Sequence, residues 1–100
     1  NVNYPLPPGT SVTTWMATLE QALAQIKAAE CECLIVSLGV DIFEDDPISA
    51  FTFTSEDFTA LGERLAQVGL PSVFLMEGGY AVDEIGVNVV NVLQGFKQAL

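Results

Sequence analysis

Histidine is missing from all 100 residues of this chain. It is the commonest proton shuttle near neutral pH and the commonest metal ligand, so a Ser/His/Asp triad, a Cys/His dyad and a histidine-based zinc site are excluded from anything the chain builds by itself. Basic residues are nearly as scarce. Lys27, Arg64 and Lys97 stand against 13 Asp and Glu, a net charge of −10, and a surface of that sign repels a phosphate backbone, so no nucleic-acid partner is expected. No apolar run approaches the roughly 20 residues needed to cross a bilayer, so no membrane partner is expected. The two cysteines, Cys31 and Cys33, are too few for a thiolate zinc cage and too close for an ordinary disulfide. They read as small core residues beside a strand, and as thiols they point to a reducing, cytoplasmic setting. The opening Asn1-Val2-Asn3-Tyr4 has no initiator methionine and no signal-peptide pattern, and reads as an excerpt from a longer chain.

What is present is the material of one folded unit. Half of the residues are apolar and the mean hydropathy is +0.41, too high for a disordered acidic chain and enough for one small core. A single domain over residues 1–100 is expected, without a repeat or a linker.

The order of elements follows from punctuation and periodicity. Pro5, Pro7, Pro8 and Gly9 make an extended lead-in that forbids helix until they have passed. From Ser11 to about Ala29, Trp15, Leu19, Leu23 and Ile26 recur at helical spacing, with Thr10 or Ser11 as N-cap. Cys33 to Leu38 is a short apolar run, read as a parallel strand covered on both faces. Residues 39–53 hold Gly39, Pro47 and the acids Asp41, Glu44, Asp45 and Asp46, and read as a loop beyond that strand's carboxyl end, where open α/β sheets place their sites. Thr54 to Asp57 reads as a capping box for a helix with Phe58, Leu61, Leu65 and Val68 on its face, closed by Gly69 and Pro71. Ser72 to Met76 is a second apolar strand, turned away by Glu77-Gly78-Gly79-Tyr80. A last helix, about Asp83 to Ala99, is expected to bury Ile85, Val89, Leu93, Phe96 and Leu100, and to be covered on more than one side. The fold class is α/β, with two parallel strands joined by a right-handed helical crossover. Two such strands leave both sheet edges unpaired, so the chain is expected to lack neighbours and, alone, to associate as a dimer or larger homo-oligomer.

Ser37-Leu38-Gly39-Val40-Asp41, then Asp46-Pro47, then Glu77-Gly78-Gly79-Tyr80, together with the Pro5 to Thr10 lead-in, resemble the carboxyl-terminal motifs of the histone deacetylase and acetylpolyamine amidohydrolase family. Glu77 ahead of the glycines is more similar to the class II and polyamine branches. The resemblance implies a partial arginase/deacetylase-like three-layer α/β/α fold, of which this chain is a carboxyl-terminal fragment. It also implies a zinc-dependent amide hydrolase acting on an acetylated amine, acetyl-lysine or an acetylpolyamine. By the same resemblance Asp41 matches one of three zinc ligands, Tyr80 matches the catalytic phenol that donates to the substrate carbonyl oxygen, and Gly78 and Gly79 let substrate approach the backbone. The other two ligands and the histidines that activate water have no match here, so the chain alone is expected to bind no zinc and to be inactive. The family usually has glycine where Asp45 stands; if that glycine takes a positive φ, Asp45 is strained.

By residue type alone the same positions have plainer readings. Asp41 is one of four acids in a loop and reads as a solvated carboxylate. Tyr80 reads as a half-buried packing residue, and Asp45 and Asp46 as solvated or turn-capping acids, Asp46 being a structural position in the family. The surplus of acid would either steer a cationic substrate or serve solubility. A non-enzymatic oligomeric binding or structural module derived from the same fold is the alternative function, and completion of an active site by a second chain is a third.

Overall fold

Helix starts as soon as the prolines are passed. In the computed structural model, which describes all 100 residues, α1 runs over Val12–Ala28, and its N-cap Ser11 accepts the Thr14 N–H on its hydroxyl oxygen at 3.2 Å, satisfying one of the free amides of the first turn. The chain then forms β1 (Leu34–Leu38), α2 (Asp57–Ala66), β2 (Ser72–Met76) and α3 (Ile85–Gln98). The capping box is present, though α2 proper begins at Asp57. Thr54 N–H donates to Asp57 Oδ2 at 2.8 Å and Asp57 N–H donates back to Thr54 Oγ1 at 3.3 Å. Gly69, at φ +73°, ends the helix as the left-handed C-terminal glycine anticipated.

β1 and β2 pair in parallel from Leu34 opposite Ser72 to Leu38 opposite Met76, with α2 as the crossover. Leu34, Val36, Leu38 and Phe74 face the core with Trp15 and Leu19 of α1, Phe58, Leu61 and Leu65 of α2, and Val92 and Phe96 of α3. The other face is bare. Ile35 is 65% exposed and Val73 56% exposed, and Leu75 is exposed beside them. The strands are therefore covered on one face by this chain, not on both as their apolar run suggested.

Residues 39–53 form the expected loop, and it is a packed one: Val40, Phe43 and Phe53 are buried, Phe43 and Phe53 form a parallel bridge, and the Phe53 ring meets Trp15 edge-on at a centroid distance of 4.9 Å. Two further expectations need correction. Cys31 and Cys33 are exposed, since both lie in the turn before β1 and not in the strand. In α3 the deeply buried positions are Asn88, Val92 and Gly95, while Leu93 and Leu100 are exposed. Small side chains choose this seam. A Cβ on Gly62 of α2 would run into the Val92 carbonyl, and one on Gly95 would run into the Thr59 carbonyl, so the two helices approach to backbone contact and rotate α3 away from its most apolar stripe.

Candidate active-site loops

Parallel pairing delivers the carboxyl ends of β1 and β2 side by side, and the pairing continues past the strands. Glu77 N–H donates to the Leu38 carbonyl at 2.9 Å and Val40 N–H donates to the Gly78 carbonyl at 2.8 Å. The loop bearing Asp41 and the loop bearing Tyr80 thus begin as neighbours. Both oxygens of the Asp41 carboxylate lie where a side chain on Gly78 would start, and a Cβ on Gly39 would lie 2.8 Å from Asp41 Oδ1. Two glycines from different strands therefore make the seat for one carboxylate. Gly79 follows at φ +151°, with a Cβ position 2.7 Å from Val40 Cγ2; both the torsion and the space require glycine.

Tyr80 stands at the end of this turn, 53% exposed. Its main chain is anchored: Tyr80 N–H donates to Asp46 Oδ2 at 2.7 Å and Ala81 N–H donates to the same oxygen at 3.2 Å. The other oxygen, Asp46 Oδ1, accepts Ile48 N–H at 3.0 Å. Asp46 is buried. Burial alone would push its carboxyl up, and the amide hydrogens of Tyr80, Ile48 and Ala81 together outweigh that, holding it below its ordinary value.

Asp41 and Gly78 thus come together, and Tyr80 sits two residues further along the same turn. No group of three or more Asp, Glu, Cys or His side chains converges on a point that could hold a metal ion, so as a complete metal site these residues do not fit; Asp41 fits as one oxygen donor of a larger set. A hollow of about 180 Å³ lined by Tyr4, Leu6, Trp15, Thr18, Leu19 and Ala22 includes neither Asp41 nor Tyr80. Asp45 is exposed and Glu30 is the one non-glycine residue at positive φ, so Asp45 stands in ordinary backbone and carries none of the anticipated strain. The residue that sequence reasoning undervalued is Asp46. Its reach to an amide 34 residues away has no local signature beyond an Asp-Pro pair in a turn.

The histone deacetylase domain matches residues 1–96 of this chain. The chain belongs to the histone deacetylase family. Within the family it is 54% identical over 97 residues to acetylpolyamine amidohydrolase 2 of Pseudomonas aeruginosa, which covers 97% of this chain and 28% of that protein. It is 50% identical over 93 residues to the acetylpolyamine amidohydrolase of Mycoplana ramosa, covering 93% of this chain and 27% of the relative. The crystal structure of an acetylpolyamine aminohydrolase from Burkholderia pseudomallei superposes with a TM-score of 0.94 at 32% identity, over 99% of this chain and 29% of that one. The 100 residues therefore span a little over a quarter of the relatives they match, and their α/β architecture is that of a deacetylase fold. No helix is long and apolar enough to cross a membrane.

Proposed function

We propose that this chain carries part of the active site of a zinc-dependent amide hydrolase that removes an acetyl group from an acetylated amine, with an acetylpolyamine as the favoured substrate class and acetyl-lysine as the second. The observation that carries this reading is the seating of the Asp41 carboxylate against Gly78, two residues before Tyr80, which joins a candidate metal ligand to a candidate phenol donor at the ends of adjacent strands. Zinc in such a site polarises the substrate carbonyl and lowers the pKa of water. The chain's own residues have narrower tasks. Asp41 offers a carboxylate for which Gly39 and Gly78, lacking a Cβ, leave room between the two loops. Tyr80 offers a phenol O–H to the carbonyl oxygen as negative charge grows on it, and Gly78 and Gly79 leave the backbone open to the substrate. The remaining ligands and the proton-transfer groups lie outside these 100 residues, so the chain alone neither holds zinc nor turns over substrate. Its free thiols agree with a reducing compartment such as the cytoplasm.

A hybrid enzyme tests this. The chain replaces the matching segment of the Pseudomonas aeruginosa acetylpolyamine amidohydrolase, and zinc content and acetylpolyamine hydrolysis are measured. The unchanged hybrid should retain both, Asp41→Ala should lose zinc, and Tyr80→Phe should keep zinc while kcat falls on the order of 10²- to 10³-fold, the usual cost of one oxyanion donor. Full activity in Tyr80→Phe, or full zinc in Asp41→Ala, refutes the assignment.

A second reading rests on the bare sheet face of Ile35, Val73 and Leu75: a stand-alone module that associates with its own copies through that face and performs no catalysis.

A further inference from the structure

Tyr80 is more than half exposed and its phenol makes no hydrogen bond within the chain, so packing does not determine where the ring points. The turn before it does not either. Gly78 and Gly79 lack a Cβ, and glycine has the widest backbone freedom of any residue, so a Gly-Gly-Tyr segment left to itself samples many directions. The Gly78 carbonyl is held by Val40 N–H and the Ala81 carbonyl by the Glu84 and Ile85 amides, and between those two points the Tyr80 peptide is restrained by one carboxylate from the other loop. Asp46 Oδ2 accepts the amides of Tyr80 and Ala81 at 2.7 and 3.2 Å, Oδ1 accepts Ile48 N–H at 3.0 Å, and the residue's own N–H donates to the Phe43 carbonyl at 3.1 Å. Every bond to the side chain comes from a donor, so the site requires an acceptor on both oxygens, as an ionised carboxylate provides.

We propose that Asp46 is a positioning residue: by gripping the Tyr80 and Ala81 peptides from the loop that carries Asp41, it fixes the direction of the Tyr80 phenol relative to the Asp41 carboxylate. The catalytic consequence rests on the function proposed above; the restraint itself does not. Asparagine is the informative replacement, because it keeps size and shape but turns one acceptor into an N–H₂ group. If its oxygen meets Tyr80 and Ala81, its nitrogen faces Ile48 N–H, and if it is flipped the clash falls on Tyr80.

Two measurements decide the matter. In the 100-residue chain, amide hydrogen exchange in Asp46→Asn should quicken at Tyr80 and Ala81 on the order of tenfold or more, as expected for losing a charge-assisted bond, while Leu61 in α2 and Val92 in α3 quicken only by the smaller factor that the loss of global stability accounts for. Unchanged rates at Tyr80 and Ala81 overturn the proposal. So does a uniform rise that includes Leu61 and Val92, since Asp46 would then serve folding in general, and so does a Tyr80 amide that is unprotected in the unaltered chain. In the hybrid enzyme, Asp46→Asn should lower kcat on the order of tenfold with KM changed little and zinc content retained, because a mispointed donor acts on the transition state. Equal kcat in the two hybrids overturns the positioning role. An unaltered hybrid without activity counts against the functional reading alone, leaving the exchange result to decide the restraint.

Discussion

Asp46 shows how a buried acid can be made comfortable by amides alone. Three N–H groups converge on it and no Lys or Arg is bonded to it, which suits a chain with three basic residues in all. Its acidity has a direct consequence for stability. The folded carboxyl lies below its ordinary value of 3.8, so folding favours the ionised form. That contribution is fully present above the unfolded value and is lost as pH falls through the folded one. The denaturant midpoint of the unaltered chain should therefore exceed that of Asp46→Asn by a constant margin from neutral pH down to about pH 5, and the margin should close as the medium is acidified below 3.8. A margin that widens in acid contradicts the sign. By residue type Asp46 was legible as a solvated or turn-capping acid and by resemblance as a structural position, but its partners were not, because the amides it serves are brought to it by the pairing of β1 with β2.

At the scale of elements, the closest contact is the crossing of α2 and α3 through Gly62 and Gly95. Replacing Gly62 by alanine would gain a little helix propensity, about 0.5–1 kcal/mol. The new methyl would meet the Val92 carbonyl and the Phe96 amide, which are backbone and cannot turn aside, and overpacking of this kind costs about 1–3 kcal/mol or more. Gly62→Ala should thus lower the unfolding free energy, read from urea titration, while Gly86→Ala, where a Cβ has open space around it, should not. Here the sequence was informative about existence and less so about contact. Ser11, Gly69 and the runs of β1 and β2 marked their elements to within a residue or two, because caps and short apolar runs are local features. Which side of α3 is buried was not local: Leu93 looked like core, and the glycines that set the seam lie 33 residues apart in two helices. The burial of Phe43 and Phe53 was likewise hidden, since a loop that mixes four acids and a proline with its apolar residues gives no periodicity by which its aromatic residues can be read.

The molecule as a whole is a layer with one side finished. Helices cover the face of Val36 and Phe74, and apolar side chains stand in the open on the other. Alone in solution the chain should associate through Ile35, Val73 and Leu75, so small-angle scattering should give a radius of gyration above the 13.1 Å of one copy, with Ile35→Lys combined with Val73→Lys restoring the single-copy value. A single-copy value in the unaltered chain would contradict self-association.

That bare face also sets a temperature dependence. Removing apolar side chains from water is driven by entropy near room temperature and carries a large negative heat-capacity change, so the attraction weakens on cooling. Any assembly seated on Ile35, Val73 and Leu75 should accordingly be held better in warmth than in the cold, and an enzyme reconstituted across this surface would lose its partner on ice before it loses its own fold.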